Sequence, residues 1–413
     1  MPPAPARTRP RTFRSLSVRN FRLFATGQVI SVAGTWMMVV AQDWLVLEMT
    51  GDSAGALATV TALQFTPLLL LTLQGGRLAD RYDKRALLTA ANTASGLLAA
   101  ALALLTLTGT AALWHVWIAA AALGTVNALE VPTRMAFVGE LVGPDLLPNA
   151  SALSAAYFNT ARVLGPAAAG ALIAAAGTGA VMLANAASYL ATVAALRRMR
   201  PAELHRAERP HTRPRVTDAL RYTASRPDLK AALLLLAAVS LFGLNFQLTL
   251  PLLAKTVLNA DAAAFGLATT AFAAGSLLAA LAGTARTRRP AARLVTASAL
   301  ALGLLETAAG AAPTLATCLP LLFATGFAAL HFTQAANHRI QLGSDPRYRG
   351  RVMALYTLIL QGSTPLGALA TGWAAATWGA RWGLVLGGLA TAAAAGAALA
   401  ATARRPTGKA PPP

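Results

Sequence analysis

The chain has 413 residues, of which 56% are hydrophobic and only 12% charged. Lys and Arg number 35 against 15 Asp and Glu, for a formal net charge of +20. A soluble enzyme of this length needs a more charged surface, and a nucleic-acid-binding protein carries such a charge on far less apolar sequence.

From the N-terminus, Met1 to Arg22 carries six Arg and no acid. The apolar run that follows is too long for a signal-peptide core and lacks a clear cleavage site, so it reads as a retained first span. Further runs long enough to cross a bilayer as helices recur along the chain. They fall at about 20–47, 53–75, 86–108, 113–138, 149–175, 179–197, 229–253, 262–283, 291–311, 314–341, 352–376 and 379–401, twelve in all. The expected fold is an all-α membrane protein of twelve transmembrane helices in two six-helix halves.

The basic residues give this count an orientation. With the N-terminus inside, 32 of the 35 Lys and Arg fall on the cytoplasmic side. Only Lys255 and Arg381 fall outside, and Arg162 lies within a span. A miscounted helix would throw later basic loops onto the wrong face, so both termini are expected in the cytoplasm. The longest hydrophilic stretch, Arg197 to Lys230, is rich in Arg and Pro and separates six spans from six. The expected organisation is a tail 1–19, a first half 20–197, a linker 198–228, a second half 229–401 and a tail 402–413. Val216 to Ala224 is the one piece of the linker patterned as a surface helix. The remainder suits an anionic membrane face rather than nucleic acid, and the Pro-rich tails read as disordered. Cys318 is the single cysteine, which excludes an internal disulfide and reads as a buried small hydrophobe. No phosphate-binding loop, nucleophile–base motif or metal constellation is present, so neither a cofactor nor an enzymatic activity is expected.

Each half has a basic loop after its second span, Gly76 to Arg85 and Gly283 to Arg293. Each also has a turn before its fifth, Gly143-Pro144-Asp145 and Ser344-Asp345-Pro346. Duplicated halves are frequent in secondary transporters, with the substrate site at the midplane between them.

The loop after the second span reads Gly76-Arg77-Leu78-Ala79-Asp80-Arg81-Tyr82-Asp83-Lys84-Arg85. It resembles the major facilitator superfamily signature G-x-L-x-D-R-x-G-R-K/R through Gly76, Leu78, Asp80, Arg81, Lys84 and Arg85, with Asp83 in place of the second Gly. In this reading Gly76 allows a tight helix exit, Asp80 sits at a helix N-terminus, and the three cations pair with it or with lipid phosphates. Ala41 to Val46 with Leu63 to Phe65, Asn159 to Pro166, and Arg349 to Met353 are similar to the enterobactin-exporter and macrolide-efflux branch. Gly165, Pro166 and Gly170 resemble a partial form of the superfamily's fifth-helix antiporter motif. The resemblance implies a proton-linked exporter of an amphipathic small molecule, with helices 1, 4, 7 and 10 around a central cavity.

Ionisable residues inside spans are costly and are functional candidates. Asp43, Glu130 and Arg162 are the proton-coupling candidates, with Glu130 expected to pair with Arg162 and Asp43 next in line. Glu306, near an outer span end, reads as an acid that simply reaches water. Polar residues share one helical face in span 1 (Gln28, Ser31, Thr35, Gln42), in span 4 (Asn127, Glu130, Arg134) and in span 10 (His331, Gln334, His338). Span 7 adds Asn245 and Gln247. These are the expected substrate-cavity residues, and no metal is expected at the two histidines. Trp36, Trp44, Phe65, Phe242, Phe246, Phe327 and Phe332 either line an apolar site or pack helices.

The leading expectation is therefore an alternating-access exporter in the inner membrane of a bacterium, monomeric, with a small molecule, protons and membrane lipids as partners. An importer or facilitator of a nutrient, and a non-transporting membrane receptor or scaffold, are the alternatives.

Overall fold

The computed structural model describes residues 11–205, 216–283 and 288–403. The expectations for the Pro-rich tails, for the middle of the linker and for the first part of the loop after span 8 lie outside these residues.

Among the described residues every regular element is helical. A short 3-10 turn, Arg11–Ser17, leads into α1 (Arg19–Met49), α2 (Ala54–Arg81) and α3 (Lys84–Leu107). Then comes α4 (Leu113–Arg197), followed by α5 (Val216–Ala224), α6 (Pro227–Phe242) and α7 (Phe246–Leu252). The last five are α8 (Ala262–Gly283), α9 (Ala292–Ala311), α10 (Leu315–Gly343), α11 (Pro346–Trp378) and α12 (Ala380–Ala403). The surface helix expected in the linker is α5.

The 85 residues of α4 would be about 130 Å long as one straight rod, several times the ~30 Å hydrocarbon layer. Two glycines resolve this. Gly143 (φ 71°, ψ 176°) and Gly177 (φ 79°, ψ 172°) adopt backbone angles open only to a residue without Cβ, and the chain reverses at each. Pro144 follows Gly143 directly, its fixed φ suiting the first position of a new helix. The run thus holds spans 4, 5 and 6, and α6, α7 and the π-turn Leu253–Val257 together form span 7. Among the described residues ten helices are long and apolar enough to cross a membrane, and counting α4 as three brings them to the twelve expected. Spans 4 and 5 have almost no loop between them, where the sequence suggested about ten residues.

The described residues fall into two compact units. One comprises residues 11–45 and 66–205, the other 46–65, 216–283 and 288–403. The stretch Val46–Phe65, the end of α1 and the start of α2, groups with the second unit. In the first unit, α1 lies against the last part of α4. A Cβ at Gly27 would stand 3.1 Å from Ala195 Cβ, and Thr192 donates to the Gly27 carbonyl at 3.1 Å. Phe21, Phe24, Leu88, Phe137 and Leu141 form its apolar core near the basic loops, with the Phe24 and Phe137 rings edge to face at 5.6 Å.

The second unit is closed by backbone-to-backbone contacts between small residues. A Cβ at Gly275 in α8 would collide with the Phe323 carbonyl of α10, and one at Gly326 with the Phe272 carbonyl of α8. Gly303 of α9 and Gly388 of α12 meet in the same way. Between apolar helices in lipid, such close approach supplies the van der Waals contact that drives association. Two residues that the sequence placed on the outer side make contacts within this unit. Lys255 lies 2.8 Å from the Asp52 carboxylate, and Arg381 donates to the carbonyls of Gly310 and Ala312.

Candidate functional site

The signature loop departs from its sequence-based reading in two ways. The second helix does not exit at Gly76 but continues to Arg81, so Gly76 and Asp80 are helical and Asp80 is exposed. The expected tight exit at Gly76 and N-terminal position of Asp80 are therefore corrected. A Cβ at Gly76 would meet nothing, whereas one at Gly75 would collide with the Ala128 carbonyl of α4. The close-approach glycine is thus its neighbour. The helix N-terminus falls one step later, at Asp83, whose carboxylate accepts from Ala86 N at 2.9 Å. An Asp at this position supplies a cap that the signature's Gly cannot.

Two cations of the loop, Lys84 and Arg85, turn inward, while Arg77 and Arg81 are exposed. Lys84 Nζ lies 2.6 Å from Glu140 Oε1 near the end of span 4. Arg85 Nε donates to the Leu196 carbonyl at 2.8 Å, satisfying an orphan acceptor at the C-terminus of span 6. Arg81 stacks over the neighbouring Tyr82 ring at 5.6 Å. Leu78 is exposed. In the second unit Arg289 reaches Asp228 at 2.7 Å and the Arg339 carbonyl at 3.4 Å, and Arg339 donates to the Pro290 carbonyl at 2.8 Å. At the second turn, Asp345 accepts from Arg347 N at 2.8 Å and Pro346 opens α11. There α5 docks, with Tyr222 stacked on Tyr348 at 4.4 Å and its hydroxyl accepting from Asp345 N at 3.0 Å.

Inside the spans, the acid that the sequence assigned to Arg162 is engaged elsewhere. Glu130 Oε1 lies 3.0 Å from Arg134 Nε, one turn along the same helix. The i,i+4 spacing that permits this was visible in the sequence. The Arg162 guanidinium sits 5.8 Å from the Trp36 ring of α1, a cation–π arrangement. Trp36 also packs edge to face on Phe158 at 5.9 Å. Gly165, buried with Pro166 and Gly170, brings span 5 onto this part of α1, since its Cβ would stand 2.7 Å from Trp36 Cβ.

Of the polar face of α1, Gln28, Ser31, Gln42 and the adjacent Asp43 are buried at 3–4% exposure. Thr35 alone is exposed, donating to the Ser31 carbonyl and standing 3.4 Å from the Tyr189 hydroxyl. Asn127 is half-buried in span 4, and Gln247 in span 7. Asn245 has a structural task. Its Nδ2 donates to the carbonyls of Leu241 and Phe242, freed where α6 stops, and Gly367 of α11 leaves room for its side chain. In α10, His331 is stacked on Phe327 at 5.7 Å, Gln334 is pressed against Gly283 of α8, and His338 is half-buried. Phe332 and Trp44 are buried, Phe246 packs on Phe272, and Cys318 is a buried free thiol.

Glu306 does not reach water as the sequence suggested. It is only 1% exposed, within α9. Its spacing from Gly303 and Gly310, three and four residues, would have placed it on the face that a neighbouring helix covers.

A helical membrane protein in two units, with basic loops at helix ends and few ionisable side chains within its spans, is the architecture of a major facilitator transporter. Residues 11–410 match the sequence model of the transmembrane secretion effector family, and the chain belongs to that family of the superfamily. It is 27% identical over 374 residues, 85% of each chain, to the multidrug efflux pump Tap of Mycobacterium tuberculosis. It is 32% identical over 173 residues to the staphyloferrin A transporter of Staphylococcus aureus, a match spanning 42% of this chain and 43% of that one. Among solved structures, a bacterial homologue of the iron transporter ferroportin in an inward-facing state superposes with a TM-score of 0.74 at 16% identity. That match covers 94% of this chain and 99% of the other. A bacterial homologue of the human lysosomal transporter Spinster gives 0.72 at 15% identity, over 98% and 100%.

Proposed function

We propose that the protein is a proton-coupled exporter of an amphipathic or lipophilic small molecule such as a drug, antibiotic or siderophore. The two six-helix halves alternate access to a site at the midplane. The observation that carries this reading is a set of ionisable side chains kept inside the spans of a chain similar to an efflux pump over 85% of its length. Asp43 and Glu130 are the coupling acids. Arg162 is the fixed charge whose contact with Trp36 ties span 5 to span 1. Protonation removes a charge from a span, and it drives switching if one state tolerates the neutral acid better than the other. Gln28, Ser31, Thr35, Gln42, Asn127, Asn245, Gln247, His331, Gln334 and His338 supply hydrogen-bonding groups at or near the cavity, among aromatic neighbours suited to amphipathic compounds.

The protein works as a monomer in the bacterial inner membrane, both termini in the cytoplasm, with the basic loops against anionic lipid and no nucleic-acid partner. Everted membrane vesicles test the coupling. Asp43→Asn with Glu130→Gln is expected to abolish pH-gradient-driven uptake of ethidium into the vesicles. Uptake at the wild-type rate in the double variant removes both residues from the coupling role.

A further inference from the structure

The second unit holds a buried acid that the reading above does not use. In α9, the face of Gly303, Glu306 and Gly310 packs directly on α12, and Glu306 stands in the middle of it. Its carboxylate points at the place where span 7 breaks. Oε2 lies 3.3 Å from where a Gly243 Cβ would stand, and Oε1 lies 3.0 Å from where a Gly387 Cβ would stand. The Thr391 hydroxyl of α12 reaches the same point beside Gly243. Thr391 is fully buried and Ser240, one turn before Gly243 in α6, is 2% exposed. Among the described residues, Glu306 Oε2, Thr391 Oγ1 and Ser240 Oγ find no hydrogen-bond partner. Native proteins rarely leave such buried atoms, two of them converging beside Gly243, without a ligand, ion or proton to satisfy them.

Electrostatics narrows the occupant. Around the carboxylate stand Phe242 and Gly243 where α6 ends and Gly387 and Thr391 of α12, none of these four ionisable. Arg381 of α12 is committed to the carbonyls of Gly310 and Ala312, one to two turns further along. Cys318, on the adjoining α10, lies by the Ala309 carbonyl at that same end. Asp228 and Lys230 stand at the opposite end of α6, and Arg293 at the start of α9. An ionised carboxylate in a membrane interior with no facing cation is costly. A neutral one gains an O–H to donate, and a hydroxyl beside it can accept. The break lies beside it, because α6 stops at Phe242 and α7 resumes at Phe246, leaving Gly243, Leu244 and Asn245 outside the helical ladder.

We propose that Glu306, with Thr391, forms a proton-binding site in the second unit, loaded and emptied through the break in span 7. It rests on the proton-coupled reading and adds to it a site separate from Asp43 and Glu130.

The test combines infrared difference spectroscopy on the purified full-length protein with ethidium transport in everted vesicles. A protonated-carboxyl carbonyl band is expected that titrates with pH, is lost in Glu306→Gln, and shifts in frequency in Thr391→Val. The pH dependence of ethidium transport is expected to be lost in Glu306→Gln and retained in Glu306→Asp. A band unchanged in Glu306→Gln, a Glu306 band that does not titrate, or a wild-type pH profile in Glu306→Gln overturns the site. Thr391→Val keeps the acid, so an unshifted band in that variant overturns it even where Glu306→Gln does not fold. Wild-type vesicles that move no ethidium on a pH gradient count against the exporter reading, while the infrared titration still decides Glu306.

Discussion

The two units tie down their basic loops by the same means with different residues. In the first, Lys84 pairs with Glu140 and Arg85 takes the carbonyl at the end of span 6. In the second, Arg289 takes both the carboxylate of Asp228 and the carbonyl of Arg339. The signature is recognisable only in the first copy, where two cations divide a carboxylate and a backbone carbonyl between them; in the second one arginine reaches both. What the two loops share is the electrostatic staple, not the residue pattern. The settings differ too. The Lys84–Glu140 side chains are 18% and 13% exposed, those of Arg289 and Asp228 36% and 30%. A pair withdrawn from water loses more when one partner goes, because the survivor remains desolvated and unmatched.

The sharpest way to break the parallel is at a close-packed glycine in each unit. Gly326→Val drives two methyls into the Phe272 carbonyl, and Gly75→Val does the same at Ala128. Both are expected to remove most of the monodisperse folded protein on size-exclusion chromatography. A folded Gly75→Val beside an unfolded Gly326→Val would show that the units rely on unequal packing.

The next effect separates the staples themselves. Glu140→Gln is expected to cost about 1–3 kcal/mol, since it strands a half-buried ammonium. Asp228→Asn, in a wetter setting, is expected to cost under about 1 kcal/mol. Thermal unfolding in detergent ranks them, and equal shifts would mean that burial does not distinguish the two loops. The smallest effect lies at the signature's divergent position. Asp83→Ala is expected to cost about 1 kcal/mol and Asp83→Gly only a few tenths. The same melting measurement checks the order.

Much of the fold was legible because hydropathy counts spans without knowing their contacts. The twelve spans and α5 followed from apolar runs and a short amphipathic stretch. Backbone detail was hidden from such counting. Spans 4 to 6 run on with bends at Gly143 and Gly177, and hydropathy does not register the break of span 7 at Gly243 to Asn245. The partner of Glu130 was in plain view at i,i+4, but a pairing across spans looked more consequential. Glu306 was set aside for its nearness to a span end, yet depth along a helix says nothing about which face a neighbour covers. That information lay in the glycines at three and four residues either side.

The glycine contact between α9 and α12 bears on how the protein is made. Of the described helices, α12 is the last to leave the ribosome, and only then can the face bearing Gly303, Glu306 and Gly310 be covered. Until that point the acid stands on an open helix surface, where lipid and the insertion machinery meet it first. A nascent chain stalled before α12 would carry an uncovered carboxylate in the bilayer, a mark by which membrane quality control could tell an unfinished transporter from a finished one.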